Sequence, residues 1–417
     1  MHPTRRDFLK SSTLIALAPT VPGFLAQTAR AAKPERDGRI LVVIQLDGGN
    51  DGINTVVPFA DDGYAKHRKT LRLPTRQLIK VNAQVGLHPA MTGAGKLLES
   101  SRLAIVQGVG YPNPNRSHFE SMAIWQTARF DPDDRNGLGW LGRALDGQEQ
   151  REGRKPDCVF VGGGQLPTAL RGRRSVASAL TRPEDFVLAP EVKAKPASPL
   201  TPTPLPPGER GRGEGDDLAA FVRRATLDAY TTADRMAEVV HGKDDGGSYP
   251  ATELARELQL MARLIKAGVG TRVYYARQSG YDTHSAQLGT HFGLLSELAG
   301  AMQAFLDDLA AAKLADRVLL LTFSEFGRTV KENGSAGTDH GTAGPVFLAG
   351  PGVKPGLASA TPSLLDLDAK FGDLRMSVDF RRVYASVLED WLGLPAKAAL
   401  GGEFEPLSLF GNRRKRA

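Results

Sequence analysis

Five short apolar runs rich in β-branched residues occur along the chain, and such runs are typical of strands buried on both faces of a largely parallel sheet. They occupy residues 40–46, 103–109, 272–276, 318–323 and 346–349. Longer segments, in which apolar residues recur every three or four positions, predict helices over residues 218–240, 251–267, 286–314 and 380–392. The alternation of strands and helices predicts an α/β fold with a doubly wound, mostly parallel sheet flanked by helices.

The first 31 residues have the features of an export signal. Arg5 and Arg6 precede a mildly apolar stretch, and an A-x-A cleavage sequence follows at residues 29–31. Prolines interrupt the apolar stretch, whereas a membrane-spanning helix needs about 20 nearly continuous apolar residues. We therefore expect residues 1–31 to be a signal peptide read by the twin-arginine translocase, and the mature protein to be periplasmic or secreted with no stable membrane span.

The remaining sequence predicts one α/β domain over residues 38–411. Residues 195–215 are rich in proline, glycine and charge, which predicts a disordered surface insertion within that domain. Residues 412–417 form a basic tail. Because Cys158 is the single cysteine, the chain has no intramolecular disulfide, and we expect Cys158 to be a small buried apolar residue.

The formal net charge of +7 is concentrated at the two ends of the chain. The signal segment and the basic tail together account for this excess, so residues 32–411 are about neutral. A neutral body argues against an extended phosphate-binding face, and we expect no nucleic-acid partner.

Polar residues that suit metal coordination occur where the predicted strands end or begin. The carboxyl ends of parallel strands meet at one edge of a sheet, so these side chains are expected to converge there. The candidates are Asp47, Asp282, His284, Glu325, Asp339 and His340. Carboxylates mixed with imidazoles predict a divalent metal site holding one or two ions, with Zn²⁺ the favoured metal and Mn²⁺ or Ca²⁺ as alternatives. Each motif alone also fits a simple turn, since Asp-Gly-Gly sequences usually form turns.

Ser117 is the candidate nucleophile. It follows the second predicted strand and precedes a helical pattern, so exposed N–H groups at the start of that helix could bind an anionic ester near its hydroxyl. Arg116 could hold a phosphate or sulfate oxygen. The alternative is that Ser117 only caps the helix, with Glu120 completing a capping box.

Five long motifs in this order resemble the exported family called domain of unknown function 1501. They are QLDGGNDGINTVVP, YPNPNRSHFESMAIWQT, NGLGWLGRALD, SGYDTHSAQ and FSEFGRTVKENGSAGTDHGTAGP. The resemblance implies an alkaline phosphatase and sulfatase type of fold and two-metal hydrolysis of phosphate or sulfate esters. It also implies that Ser117 is the nucleophile and that the metal ligands include Asp47, Asp282, His284, Glu325 and His340.

The sequence departs from the superfamily pattern at several points. Phe326 stands where the pattern has a histidine, and Asp282 and His284 are more closely spaced than usual, which makes His291 an alternative ligand. Ser117 lacks the Pro-x-Arg sequence that sulfatases need to convert their nucleophile to formylglycine.

Two functional hypotheses follow. The first is an exported metal-dependent hydrolase, with Ser117 or a metal-bound water as the nucleophile, that acts on a small anionic ester or on a sulfated or phosphorylated glycan. The second is a non-catalytic periplasmic domain of the same fold that binds the envelope or a polysaccharide. An oxidoreductase is not supported, because the chain has no C-x-x-C, haem or G-x-G-x-x-G motif.

Overall fold

The computed structural model describes residues 38–148, 156–180, 239 and 247–411. All the helices and strands given below belong to the compact unit Arg39–Ala417. The predicted signal peptide, the insertion at 195–215 and the basic tail lie outside the described residues, as does the helix at 218–240 apart from Val239.

The strands include every one of the five predicted from the sequence. In chain order they are β1 (Ile40–Asp47), β2 (Val56–Val57), β3 (Ile79–Lys80), β4 (Gly86–Leu87), β5 (Leu103–Gly110), β6 (Cys158–Val161), β7 (Ala177–Leu180), β8 (Val273–Ser279), β9 (Val318–Ser324), β10 (Gly344–Ala349), β11 (Gly356–Leu357) and β12 (Val378–Asp379). Nine of them form the main sheet in the order β11-β5-β10-β9-β1-β8-β6-β7, with β12 also pairing with β5. Strands β2, β4 and β3 form a small separate sheet.

The helices lie on both faces of the main sheet. They are α1 (Gly52–Thr55), α2 (Asp62–His67), α3 (Thr92–Glu99), α4 (His118–Thr127), α5 (Trp140–Asp146), α6 (Glu253–Lys266), α7 (Gln287–Ala311), α8 (Phe380–Ala385), which continues as a π-helix over Ser386–Leu392, and α9 (Ala396–Leu400). Alternate residues of β1 enter two cores: Val42 packs with residues of α3, α6 and α7, and Val43 packs with residues of α4, α5, α8 and α9. The structure is therefore the predicted α/β fold with helices on both faces of a mostly parallel sheet.

The central strands are buried along nearly their whole length. Every residue of β5 and β9 is buried, as expected for strands covered by helices on both faces. Cys158 is buried in β6, as predicted, and burial raises the pKa of its thiol. No helix in the described ranges is long and apolar enough to cross a membrane.

The strand β10 differs from the predicted parallel arrangement, since it runs antiparallel to both β5 and β9. The chain between β9 and β10 contains no helix to carry it back across the sheet, so β10 starts at the edge where β9 ends. This direction has a functional consequence. Residues that come just before β10 lie at the same edge as residues that come just after β1, β8 and β9.

Candidate metal centre

Three histidines and one aspartate meet at the carboxyl edge of the sheet. Asp282 and His284 follow β8, His340 precedes β10, and His118 begins α4 after the loop that follows β5. The Nε2 atoms of His284, His340 and His118 lie 3.0, 3.2 and 3.5 Å from Oδ1 of Asp282. A single carboxylate oxygen is thus faced by three imidazole nitrogens.

The opposite nitrogen of each ring is held by an oxygen that can only accept a hydrogen bond. His118 Nδ1 lies 2.8 Å from Oε1 of Glu325, and His284 Nδ1 lies 3.0 Å from Oδ1 of Asp339. His340 Nδ1 lies 2.7 Å from the main-chain oxygen of Arg116. A proton on Nδ1 satisfies each of these acceptors, and in that tautomer the Nε2 lone pair can bind a metal.

The electrostatics of the rings differ. Burial lowers the pKa of His340, which favours its neutral form. The hydrogen bond to Glu325 raises the pKa of His118, so a metal would compete with a proton at that ring.

The donor set fits a zinc-like ion. Ligand atoms of His118, Asp282 and His340 all lie within 4.8 Å of one another, and His284 adjoins them with its Nε2 3.0 Å from Nε2 of His340. Neutral imidazole lone pairs directed at a carboxylate repel it unless a cation or a proton lies between them. His118 Nε2 is buried and makes no hydrogen bond within the described part of the chain. Imidazole and carboxylate ligands are those that Zn²⁺ accepts.

Arg328 forms an ion pair with Asp282, the carboxylate of this group. Its Nη2 atom donates to Oδ1 of Asp282 at 2.7 Å and to the main-chain oxygen of Tyr281 at 3.1 Å. Burial alone would raise the pKa of Asp282, but Arg328 outweighs it and the pKa is lowered. Asp282 is therefore held ionised, which is the form that binds a metal.

Two of the predicted ligands, Glu325 and Asp339, lie outside the group formed by His118, Asp282 and His340. Each of them contacts a histidine ring instead. Glu325 is buried and accepts hydrogen bonds from the Gly48 N–H at 2.8 Å and from Ser324 Oγ at 3.1 Å, in addition to its contact with His118. Asp339 contacts His284 and also accepts from Asn333 Nδ2 at 3.2 Å. Both carboxylates orient imidazole rings.

Asp47 lies at the end of β1, beside the group. It accepts hydrogen bonds from the Gln45 amide and, at 3.2 Å, from Ser279 Oγ. Burial raises the pKa of Asp47, and the nearby charge of Glu325 adds to this effect. A cation bound near Asp47 would relieve this repulsion.

Ser117 and Arg116 lie immediately before the histidine that begins α4. Ser117 is exposed and occupies the N-cap position, but its side chain forms no capping hydrogen bond. Glu120 forms an ion pair with Arg135, so there is no capping box. The guanidinium of Arg116 lies 3.6 Å from Asp373 Oδ2 and 5.2 Å from the ring centre of Phe371. The Ser117 hydroxyl is therefore not engaged in the capping role that its position suggested.

His291 belongs to a different network below the carboxyl edge. It is fully buried, and its Nε2 lies 3.0 Å from Oδ1 of Asn50 and 3.4 Å from Oγ1 of Thr55. Burial lowers its pKa to about 4. The ring of Phe326 packs against the metal group itself, with its centre 5.0 Å from that of His118 and 4.9 Å from that of His340.

The sequence did not predict His118 as a candidate ligand. The signal was nonetheless present, because His118 directly follows the candidate nucleophile in the segment Tyr111 to Thr127. The position of Ser117 at the start of the predicted helix made it the candidate from this segment. Only the fold shows that the next side chain points at Asp282.

Comparison with known proteins agrees with the resemblance read from the motifs. The family model described as "Protein of unknown function (DUF1501)" matches residues 217–389. No curated protein matches the sequence.

Solved structures with a similar arrangement share little sequence with this chain. The lipoteichoic acid synthase LtaP from Listeria monocytogenes is 10% identical, with 91% of this chain and 77% of that chain covered and a TM-score of 0.38. A sulfatase from Pseudoalteromonas sp. is 10% identical, with 92% and 76% covered and a TM-score of 0.37. A protein in the alkaline phosphatase superfamily from Vibrio parahaemolyticus is 11% identical, with 79% and 64% covered and a TM-score of 0.34.

Proposed function

We propose that this protein is an exported, divalent-metal-dependent hydrolase of phosphate or sulfate esters. The observation that carries the proposal is the convergence of three imidazole Nε2 atoms on one oxygen of Asp282. Arg328 balances the charge of Asp282, but a metal ion would also use the imidazole lone pairs, and each ring already has an acceptor at its other nitrogen. In this proposal the mature protein is periplasmic or secreted, after cleavage of the twin-arginine signal.

His118, Asp282 and His340 would hold the ion, with His284 as a further ligand. A bound zinc ion would supply a Lewis acid that polarises an ester oxygen. Glu325 and Asp339 would keep two of the imidazoles in the orientation needed for binding. Arg328 would keep Asp282 ionised.

Ser117 is the side chain best placed to attack an ester. It is exposed, it adjoins His118 in sequence, and its hydroxyl is not used to cap α4. Arg116 lies on the same segment and its guanidinium is partly exposed, so it could contact an anionic group of the substrate. These positions favour an anionic ester, either a small molecule or a group on a glycan.

The second candidate is a non-catalytic domain of the same fold that binds the envelope or a polysaccharide. Phe326 is the observation that favours it, because an apolar ring lies against two of the three histidines where the resembled pattern supplies another ligand. In that case any bound ion would stabilise the edge of the sheet and no ester would be turned over.

Turnover of aryl phosphates and aryl sulfates by the zinc-loaded protein tests the proposal. We expect hydrolysis of at least one class that is abolished by His340→Gln and retained by His67→Gln, a control on α2. Zinc binding without any hydrolysis would instead support the non-catalytic domain. Absence of metal binding would contradict the hydrolase and leave the non-catalytic binding domain as the better account.

A further inference from the structure

A second polar pocket lies at the opposite end of α4 from the metal group. Its volume is about 310 Å³, in the range of pockets that bind small molecules. Four arginines line it, together with two aspartates: Arg129, Arg135, Arg143, Arg173, Asp134 and Asp146. The excess of guanidinium groups makes the pocket basic.

Two of these arginines are held by neutral oxygens alone. Arg143 donates to the main-chain oxygens of Leu138 at 2.8 Å and Ala399 at 2.7 and 2.9 Å, and also to that of Thr127. Arg129 donates to the main-chain oxygens of Ala398 at 3.2 Å and Ala399 at 3.4 Å. These contacts fix the two guanidinium groups in place without neutralising their charge.

The carboxylates of the pocket offset only part of this positive charge. Asp134 lies in the lining, and its charge acts to raise the pKa of Arg129 against the effect of burial, but it is beyond ion-pair distance. Arg135 pairs with Glu120 outside the pocket lining. Both oxygens of Asp146 accept main-chain hydrogen bonds, from the N–H groups of Arg173, Arg174 and Ser175 at 2.6–2.7 Å. No carboxylate among the described residues lies within ion-pair distance of Arg129 or Arg143.

Burial makes this excess charge costly. Burial, with a smaller contribution from the charge of Arg129, lowers the pKa of Arg143 to about 10. Burial also lowers the pKa of Arg129. An anion in the pocket would offset both effects.

A glycine at position 401 makes room for the Arg129 side chain. Its guanidinium lies beside Gly401, where a Cβ atom would come within 2.4 Å of it. Gly401 has a φ of +78°, a conformation that side chains other than glycine rarely adopt. The chain therefore leaves room for this guanidinium beside the end of α9.

We propose that this pocket, defined by Arg129, Arg143 and Arg173, binds a phosphate or sulfate group. The exposed guanidinium of Arg173 can donate to the oxygens of such a tetrahedral anion, while the charges of Arg129 and Arg143 attract it. The pocket is separate from the metal group, because α4 spans about 15 Å between them. Its volume accommodates an anion that carries a sugar as well as the free ion.

A purely structural role is the competing explanation. Arg129 and Arg143 satisfy carbonyl groups at the end of α9, as arginines near helix C-termini often do. That role predicts lower stability when Arg129 is replaced, with no dependence on anions.

Isothermal titration with inorganic phosphate, inorganic sulfate and glucose 6-phosphate distinguishes the two, with glucose as the neutral control. The full-length protein is used with EDTA present, so that any metal-dependent anion binding is removed. We expect phosphate or sulfate to bind, and Arg129→Gln to weaken that binding about tenfold. Arg375→Gln, an exposed arginine paired with Asp366 elsewhere, should leave it unchanged.

Arg173→Gln is the second variant, since its side chain is exposed at the pocket and cannot disturb the core. It should also weaken binding, whether or not Arg129→Gln folds. Tighter binding of glucose 6-phosphate than of inorganic phosphate would identify a sugar ester as the ligand, and equal binding would identify the free anion. Wild-type protein that binds none of these anions, or equal binding by wild type and Arg173→Gln, would overturn the proposal.

Discussion

His284 Nδ1 lies 3.0 Å from Asp339 Oδ1, while Nε2 of the same ring lies 3.0 Å from Asp282 Oδ1. One carboxylate therefore orients the imidazole toward another. Metal-binding histidines commonly have such a partner, and removing it typically costs 10–100-fold in metal affinity or activity.

Asp339→Asn should accordingly weaken zinc binding by about 10–100-fold without unfolding the protein. The amide can still contact the ring, but it carries no charge to favour the required tautomer. Competition titration with a zinc-sensitive chelating dye measures the affinity. Asp366→Asn, which changes an exposed carboxylate paired with Arg375, is the control. Equal zinc affinity in both variants would mean that His284 does not contribute to the site.

Ser117→Ala should abolish ester turnover while changing the free energy of unfolding by no more than about 0.5 kcal/mol. The reason is that the hydroxyl forms no capping hydrogen bond, so its removal costs little stability. Steady-state hydrolysis and chemical denaturation measure the two quantities. Ser335→Ala, an exposed serine in the loop before Asp339, is the matched control. Full activity of Ser117→Ala would exclude a serine nucleophile, and a stability loss near 1 kcal/mol would restore the capping role.

The buried ion pair of Asp51 and Arg68 should make stability depend on acid pH. Both side chains are fully buried, and two hydrogen bonds of 2.5 and 2.9 Å join them. Burial alone would raise the pKa of Asp51, but Arg68 and the polar neighbours lower it from 3.8 to about 2. The carboxylate therefore stabilises the fold above about pH 4, and this contribution is lost as the pH falls through about 2.

The expected loss from this pair is about 2 kcal/mol between pH 4 and pH 2, measured as the free energy of unfolding in urea. Asp51→Asn should be destabilised by about 3–5 kcal/mol at neutral pH, because it leaves Arg68 buried without its charge partner. It should also show a smaller decline in acid. An identical decline in the variant would place the acid sensitivity elsewhere. Glu405→Gln, which removes an exposed partner of Arg382, should cost less than 1 kcal/mol.

Export should depend on Arg5 and Arg6 together, because the twin-arginine translocase recognises both. Replacing both by lysine should leave the precursor in the cytoplasm, whereas single replacements should have smaller effects. Cell fractionation followed by immunoblotting measures the distribution. Undiminished mature protein outside the cytoplasm in the double variant would be incompatible with this export route.

Much of the fold could be predicted from hydrophobic patterns, since burial on both faces leaves a clear signal in strands such as β1 and β9. The short strands β6 and β7 were missed because each has only four residues. The direction of β10 was also missed. The antiparallel direction of β10 follows from the absence of a crossover helix between residues 325 and 343. The hydrophobic pattern of a single strand does not indicate its direction in the sheet.

The candidate site was only partly predictable for a similar reason. Placing polar residues at strand ends located Asp282, His284 and His340 correctly at one edge. It could not separate residues that face Asp282 from residues that orient the rings, because Glu325 and Asp339 occupy the same kind of position in the sequence. The position of His118 beside Asp282 depends on the path of the loop between β5 and α4, which the sequence pattern does not predict.

Zinc binding by the purified mature protein tests the central claim most directly. Zinc at a hundredfold excess over its dissociation constant should stabilise the fold by about 2.7 kcal/mol, seen as a rise in melting temperature that EDTA reverses. Asp282→Asn and His118→Gln should each lose most of this rise, and His67→Gln should retain it. No bound metal and no thermal shift with zinc or manganese in the wild type would contradict the account.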